Sequence, residues 1–182
     1  MITGLVRKAI FLDRDGVINH AIIKNNKPYP PSSLSELKII DGVKQALRDL
    51  SEAGFLLIVV TNQPDVARGT TDKLSVEAIN NSLMDQLTLN NILACYHDDK
   101  DKCECRKPLP GLILQAAATY NINLADSFMI GDRWRDIAAG KNADCKTIWV
   151  NAHNSHYNER KPESPDFEVL SLKEAVNLIL TK

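Results

Sequence analysis

Two aspartates, Asp13 and Asp15, stand one residue apart between a short apolar run and Gly16. The apolar run at residues 8–12 predicts a buried strand, and the change to polar residues and glycine marks its carboxyl end. Open α/β sheets carry their chemistry at the carboxyl ends of their strands. Residues i and i+2 of an extended chain point the same way, so two carboxylates would meet there and would need a cation. For this short motif alone, a plain surface turn is the alternative interpretation.

Three more polar clusters follow stretches of predicted strand or loop: Thr61 and Asn62, Arg106 and Lys107, and Asp132 and Asp136. Because carboxyl ends of parallel strands share one edge of a sheet, we expect all four clusters to converge on one crevice. Mg²⁺ prefers hard oxygen ligands. We therefore predict a magnesium site formed by Asp13, Asp132 and the backbone carbonyl of Asp15, with Asp136 bound through water.

This set predicts the hydrolysis of a phosphate monoester. Asp13 is the predicted nucleophile, and it would form an aspartyl-phosphate. The nearby charge of Asp13 should push Asp15 towards its protonated form, so that Asp15 can protonate the leaving alcohol and later deprotonate the attacking water. We expect the Thr61 hydroxyl, the Asn62 backbone N–H and Lys107 to hold the phosphoryl oxygens.

Four potential zinc ligands lie close together in the sequence: Cys95, His97, Cys103 and Cys105. Three thiolates and an imidazole can complete a tetrahedral site with no position left for water, which is typical of structural zinc. The alternative is a group of reactive thiols in one polar loop. Because Arg106 and Lys107 follow the last cysteine directly, we hypothesise that zinc orders this loop and thereby aims both cations at the substrate.

Strands and helices alternate along the chain, which predicts an α/β fold with a doubly wound, mostly parallel, Rossmann-like sheet. Residues 21–31 should form an exposed flap or loop. The expected strands lie at residues 8–12, 55–60, 92–96, 127–130, 147–150 and 167–170. The expected helices begin at an Asp41 cap, near residue 72, at Pro110, near residue 136, and at a capping box formed by Ser171 and Glu174.

Composition narrows the function further. The 182 residues carry 22 Lys and Arg against 23 Asp and Glu, for a net charge of -1, which provides no general attraction for nucleic acid or for a membrane. The first residues lack the pattern of a signal peptide, and no apolar run is long enough to span a bilayer. We expect one domain over residues 1–182, cytoplasmic and monomeric. His153 and His156 are expected to be solvated side chains in a polar loop.

The four clusters, in this order, resemble the motifs of the haloacid-dehalogenase (HAD) superfamily of phosphatases, and the absence of a long insertion resembles its capless members. Within them, Thr61-Asn62-Gln63, Ala67-Arg68-Gly69 and the run from Cys105 to Gly111 resemble the D-glycero-D-manno-heptose-1,7-bisphosphate 7-phosphatases. That resemblance implies Mg²⁺ as cofactor, structural Zn²⁺ and a small phosphorylated metabolite as substrate, most simply the heptose 7-phosphate group.

The same resemblance implies substrate-binding roles for Asn19, Asn62, Gln63, Arg68, Arg106 and Arg133. Arg106 and Arg68 are the candidates for a second phosphate, because arginine chelates phosphate through two N–H bonds. Two segments depart from the heptose pattern: His20 and the apolar residues after it, and Pro64-Asp65 in place of Ser-Gly. The chemistry is therefore predicted more firmly than the sugar.

Three alternatives stay open at this point. Histidinol-phosphate phosphatases share the aspartate motif, the cysteine loop and the Arg-Lys-Pro run. A non-catalytic phosphate-binding module of the same fold is disfavoured, because every charged catalytic position is retained. A zinc-finger-like nucleic-acid binder would need a basic face that the net charge does not suggest.

Overall fold

The computed structural model describes residues 6–152 and 158–181. The expectation for His153 and His156 therefore lies outside the described residues. The strands are β1 (Ala9–Leu12), β2 (Ile22–Lys24), β3 (Lys27–Tyr29), β4 (Leu56–Asn62), β5 (Asn91–Cys95), β6 (Phe128–Gly131), β7 (Lys146–Val150) and β8 (Phe167–Val169). The helices are α1 (Val43–Glu52), α2 (Lys73–Gln86), α3 (Gly111–Tyr120), α4 (Trp134–Asn142) and α5 (Leu172–Leu180), and a 3₁₀ turn covers Asp99–Asp101.

Six strands form a sheet in the order β5-β4-β1-β6-β7-β8. Every neighbouring pair in this sheet is parallel. From β1 the chain first builds outwards on one side through β4 and β5, and then returns to the other side of β1 to build β6, β7 and β8. The predicted doubly wound sheet is confirmed, and its reversal of strand order places a crevice at the carboxyl end of β1.

Both faces of the sheet are covered by helices. Ile10 and Leu12 of β1 belong to one core, together with apolar residues of α1, α2 and α5. Ala9 and Phe11 belong to the opposite core, with residues of α3 and α4. All four strand residues are 0% exposed, which explains why the sequence of a doubly covered strand is apolar without interruption.

The helix starts differ in how well the sequence predicted them. The Ser171 hydroxyl accepts a hydrogen bond from Glu174 N at 3.2 Å, so the predicted cap is confirmed, but the Glu174 carboxylate accepts from Leu170 N at 2.9 Å and the reciprocal half of the predicted box is not formed. The helix predicted to begin near residue 72 has an Asp72 cap, whose carboxylate accepts from Ser75 N at 2.8 Å. The Asp41 cap is wrong, because α1 begins after Gly42, whose left-handed backbone (φ 82) lies between Asp41 and the helix and which offers no side-chain cap.

Residues 21–31 contain more order than the predicted flap or loop. β2 and β3 pair as an antiparallel hairpin, and its turn residues Asn25 and Asn26 both have positive φ, 52 and 56. Two left-handed residues are what a tight hairpin turn of the primed type requires. Between β1 and α1 the described chain adds this hairpin and short turns only, in agreement with the expected lack of a cap domain. Within the described ranges, no helix has the length and apolar character to cross a membrane.

Candidate active site

The centre of the site is a lysine shared by two aspartates. Lys107 Nζ lies 2.6 Å from Asp13 Oδ1 and 2.6 Å from Asp136 Oδ1. Asp13 follows β1 directly, Asp136 lies in the first turn of α4, and Lys107 comes from the loop before α3. Their exposed fractions are 6%, 2% and 3%, so this ion pair is shielded from solvent. The predicted convergence of distant clusters on one crevice is thus seen for these residues.

Burial, followed by the nearby charge of Asp136, raises the pKa of Asp13 to about 6, although Lys107 acts in the opposite direction. For Lys107, burial works against the charged form, but the charges of Asp13 and Asp136 outweigh it and raise the pKa. At neutral pH the site therefore combines a charged lysine with a carboxylate that is mostly ionised.

The carboxylates of Asp13, Asp132 and Asp136 are close enough to share a cation. Each offers an oxygen, and these oxygens lie within 4.8 Å of one another. All three residues are buried. Gly16, at φ +102, is needed for this arrangement, because a Cβ there would lie 2.2 Å from Asp132 Oδ2. Three buried carboxylates beside a single lysine have an excess of negative charge, and their hard oxygens fit a divalent cation such as Mg²⁺.

Asp15 is held by three side chains. Arg14 Nη2 lies 3.1 Å from Asp15 Oδ2, Asn19 Nδ2 donates to Oδ1 at 2.9 Å, and Gln63 Nε2 donates to Oδ2 at 2.8 Å. These three contacts fix the position of the Asp15 carboxyl group beside Asp13.

The side chains of Asn19 and Gln63 contact Asp15 and do not make the predicted contact with substrate. They are 0% and 1% exposed, neither lines the cavity, and both amides bond to Asp15. Gln63 Nε2 also donates to the Thr61 hydroxyl at 3.0 Å. Their predicted contact with substrate is therefore corrected: in this arrangement they orient Asp15, because burial leaves their amides no access to a ligand.

Sequence reasoning missed the role of Arg14. Its side chain is fully buried, and besides Asp15 it contacts Asn80 of α2, with Nη1 donating to Asn80 Oδ1 at 2.8 Å. The sequence did contain a signal for this role, because Arg14 lies between two predicted catalytic aspartates, where a solvent-exposed side chain is not expected.

Asn62 fixes the backbone of Lys107. Lys107 N donates to Asn62 Oδ1 at 3.0 Å, and Asn62 Nδ2 donates to Lys107 O at 3.0 Å. In the sheet, Asn62 of β4 is the register partner of Cys95, the first residue of the cysteine cluster. The sequence had suggested only a backbone role for Asn62, so this reciprocal side-chain pair is an addition.

The cysteine cluster is compact. Cys105 Sγ lies 3.0 Å from Cys95 Sγ and 3.4 Å from Cys103 Sγ, and His97 Nδ1 lies 3.3 Å from Cys105 Sγ. A tetrahedron with Zn–S bonds of about 2.3 Å has edges of roughly 3.8 Å, so the four ligands need to move little to surround zinc. Burial raises the pKa of Cys95, so metal binding there would have to release a proton.

A cavity of about 300 Å³ opens above these groups. We call its base the floor, formed by Asp13, Asp15, Lys107 and Asp136. We call the outer charged group the rim, formed by Arg68, Arg106 and Arg135 with Asp98 and Asp99 of the cysteine loop. The hairpin residues Lys27, Pro28 and Tyr29 also line the cavity.

The rim arginines contact the cysteine loop. Arg68 donates to both oxygens of Asp98, at 2.9 and 2.7 Å. Arg106 Nε donates to Asp99 Oδ1 at 2.8 Å, and Arg135 Nη1 donates to the same oxygen at 3.1 Å. Arg68 and Arg106 thus lie where a ligand could meet them, as expected, and Arg135 is a cavity residue that the sequence argument did not consider.

Arg133 is chelated by a carboxylate from the segment before β8. Its Nε donates to Glu159 Oε2 at 2.8 Å, and its Nη2 contacts Glu159 Oε1. Burial disfavours its charge, but Glu159 outweighs this and raises the pKa of Arg133. Arg133 lines the cavity, with its charge already paired by Glu159, and its substrate-binding role stays a prediction.

The parallel sheet, the aspartates after β1 and the lysine in the loop before α3 define a hydrolase of the HAD class. A family model described as HAD-hydrolase-like matches residues 104–175. The crystal structure of D,D-heptose 1,7-bisphosphate phosphatase from B. bronchiseptica, complexed with magnesium and phosphate, is similar at a TM-score of 0.80 and 30% identity, over 96% of this chain and 98% of that one.

Curated relatives narrow the assignment. D-glycero-beta-D-manno-heptose-1,7-bisphosphate 7-phosphatase from Pasteurella multocida is 39% identical over 154 residues, which cover 78% of this chain and 79% of the relative. The enzyme of that name from Yersinia pestis is 40% identical over 153 residues, covering 76% and 77%. The chain belongs to the D-glycero-beta-D-manno-heptose-1,7-bisphosphate 7-phosphatase family, and it is a phosphoric monoester hydrolase. The resemblance inferred from the motifs is confirmed.

Proposed function

We propose that this protein hydrolyses the 7-phosphate of D-glycero-beta-D-manno-heptose 1,7-bisphosphate through an aspartyl-phosphate on Asp13. The observation that carries the proposal is Lys107 held 2.6 Å from Asp13 at the base of the cavity, with Asp15 beside them. The names of the relatives supply the substrate. We also predict that the protein is monomeric and cytoplasmic, consists of one domain, and has no nucleic-acid or membrane partner.

In the first half-reaction an Asp13 oxygen attacks the phosphorus, and the bond to the leaving sugar oxygen breaks. The ammonium of Lys107 offsets negative charge on the phosphoryl oxygens, and the Thr61 hydroxyl and the Asn62 backbone N–H are further candidate donors. Lys107 is held for this task by Asp136 through its side chain and by Asn62 through its backbone.

Asp15 is the proposed general acid and base. It would protonate the leaving alcohol in the first half-reaction and take the proton from the attacking water in the second. Arg14, Asn19 and Gln63 contact its two oxygens and would keep the carboxyl group turned towards the cavity. A fixed position matters because proton transfer requires hydrogen-bond contact with the reacting oxygen.

Two metal ions belong to the proposal. Asp13, Asp132 and the backbone carbonyl of Asp15 would hold Mg²⁺, which when bound supplies positive charge to the transferring phosphoryl group. Asp136 accepts bonds from Lys107 Nζ through Oδ1 and from Arg133 N through Oδ2, so its link to the ion would run through water. The cysteine cluster would hold structural Zn²⁺, which orders the loop that carries Arg106 and Lys107.

Three arginines that line the cavity are proposed to contact parts of the substrate other than the reacting phosphoryl group. Arg106 and Arg68 are candidates for the second phosphate, and Arg133 is a candidate for a sugar or phosphate oxygen. These three arginines line the cavity that contains Asp13.

The experiment compares phosphate release from heptose 1,7-bisphosphate, histidinol phosphate and an aryl phosphate, each with Mg²⁺. We expect the bisphosphate to have the highest kcat/KM and Asp13→Asn to abolish turnover of all three. Asp85→Asn, which removes an exposed carboxylate of α2, is the matched control. Higher kcat/KM for histidinol phosphate would contradict the substrate, and unchanged turnover by folded Asp13→Asn would contradict the mechanism.

A further inference from the structure

Two arginines of the rim share a single carboxylate oxygen. Arg106 Nε and Arg135 Nη1 lie 2.8 and 3.1 Å from Oδ1 of Asp99. A guanidinium can bind an oxyanion through two parallel N–H bonds, so one carboxylate oxygen uses only part of what this pair can donate. The Asp99 side chain is 60% exposed and can return to water at little cost.

The other cavity arginines are differently engaged. Arg68 donates to both oxygens of Asp98. Arg133 contacts both oxygens of Glu159. Each of these two has a carboxylate bound through two nitrogen atoms. Arg106 also donates to the His97 carbonyl oxygen at 3.3 Å, and its Nη2 lies 3.9 Å from Asp98 Oδ1, but it chelates no carboxylate through two short bonds. Arg106 and Arg135 therefore form a guanidinium pair that can exchange the shared Asp99 oxygen for a ligand with more oxygens and more charge.

The pair has a fixed position relative to the floor. Arg106 directly precedes Lys107 in the chain, Arg135 directly precedes Asp136, and Lys107 Nζ contacts Asp136 at 2.6 Å. Arg135 Nη1 also lies 3.5 Å from the Lys107 carbonyl oxygen. Both arginines line the cavity whose floor holds this ion pair, so an anion bound by both lies in the same cavity as the phosphoryl group on Asp13.

We propose that Arg135, together with Arg106, binds the second phosphate of a bisphosphorylated sugar, and that Asp99 occupies this place when no substrate is bound. The inference rests on the proposed function and adds two residues to it, Arg135 and Asp99. A phosphate dianion has three terminal oxygens and can satisfy both guanidinium groups, whereas a sugar monophosphate leaves Asp99 in place and gains nothing from the pair.

The test uses heptose 1,7-bisphosphate and heptose 7-phosphate, which differ only in the second phosphate. For Arg135→Gln we expect the ratio of their kcat/KM values to fall about tenfold, which corresponds to about 1.4 kcal/mol. Arg48→Gln, which removes an exposed guanidinium of α1, should leave this ratio unchanged. A ratio altered less than about twofold in Arg135→Gln would overturn the role of Arg135.

Asp99→Asn tests the second half of the proposal. Loss of the competing carboxylate should lower KM for the bisphosphate about two- to fivefold, and Glu104→Gln in the same loop is the control. A raised KM would mean that Asp99 orders the arginines and does not compete. Turnover of heptose 1,7-bisphosphate by the wild-type protein separates the failures: if it is absent, the proposed function fails, and if it is present with an unaltered ratio in Arg135→Gln, only this inference fails.

Discussion

The floor and the rim of the cavity use the same kinds of residue in opposite ways. In the floor, the side chains of Asp13, Lys107 and Asp136 are at most 9% exposed and contact one another directly. In the rim, Arg68 and Asp99 have side chains that are 43% and 60% exposed. Ion pairs gain little at such exposure and weaken further in salt, whereas a buried pair is costly to break from one side.

This difference separates two tasks. A floor that is buried and interlocked keeps the reacting groups in one geometry, which is what transition-state stabilisation requires. In the rim, each hydrogen-bonded ion pair includes one exposed side chain and can exchange partners, which is what the binding of a charged substrate requires. Floor substitutions should therefore act mainly on kcat, and rim substitutions mainly on KM.

The largest expected effect comes from the centre of the floor. Lys107→Met should lower kcat about 10²- to 10³-fold, because a preorganised charge at the phosphoryl oxygens is lost. Steady-state kinetics with the bisphosphate checks this, with Lys44→Met on α1 as the control. An effect confined to a raised KM would show that Lys107 acts like a rim residue and would contradict the division.

Arg14→Met tests whether the support behind the floor matters. The variant removes the buried guanidinium that contacts Asp15 and Asn80. We expect kcat to fall about 10- to 100-fold with little change in KM, because the acid/base carboxylate loses its fixed position. Circular dichroism must first show that the variant folds, and Arg14→Lys should recover part of the loss. A fully active Arg14→Met protein would mean that Asp15 needs no such support.

Removal of zinc should affect both the floor and the rim, because the cysteine loop carries rim residues and ends at Lys107. Chelation should lower kcat/KM about tenfold as the loop loses order, and added Zn²⁺ should restore it. Activity assays run beside metal analysis and protease digestion of the loop would check both effects. Full activity in protein shown to be free of zinc would contradict the ordering role.

A smaller effect is expected at the edge of the rim. Arg68→Gln should raise KM for the bisphosphate about two- to threefold, since its exposed guanidinium is screened by solvent and held by Asp98. The increase should shrink as ionic strength rises. A kcat effect as large as that of Arg14→Met would place Arg68 functionally with the floor.

A separate effect is expected on the stability of the metal-free protein. Because the pKa of Asp13 is raised to about 6, the folded state binds this proton more tightly than the unfolded state. The resulting contribution to stability is present below about pH 4 and is lost as pH rises through about 6. The unfolding free energy of wild type minus that of Asp13→Asn should therefore fall between these values. Urea titrations would measure it, and a constant difference would contradict the pKa shift.

The sequence predicted the positions of the chemistry better than the contacts that hold it. Asp13 and Asp132 were found because polar residues at strand ends are a local signal, and Lys107 was found because it directly follows the cysteine loop. Sheet topology and that loop then bring them together. Asn19 and Gln63 were assigned to the substrate because a pattern along the chain cannot tell which way a buried amide turns. The bond from Gln63 to Asp15 depends on how β4 lies against β1, and the bond from Asn19 depends on the turn that returns it to Asp15.

The sequence argument also missed the hairpin and the position of Arg135, because both depend on contacts that a pattern along the chain does not show. The hairpin turn at Asn25 and Asn26 could have been detected from the sequence. Pro28 was taken as evidence against a strand there, although a proline is tolerated in an edge strand of a two-stranded pair. Arg135 was passed over because nothing near it in the sequence indicates that the cysteine loop would place Asp99 beside it.

Asn62 closes the cysteine loop at its base, since it is the register partner of Cys95 and its side chain holds both polar backbone groups of Lys107. The two ends of the loop are thus joined through one residue of β4. The cost of closing a loop grows only slowly with its length. Residues inserted between His97 and Cys103 should therefore leave Lys107 where it is, so the loop can lengthen or change its rim residues, and with them its choice of substrate, without disturbing the chemistry below.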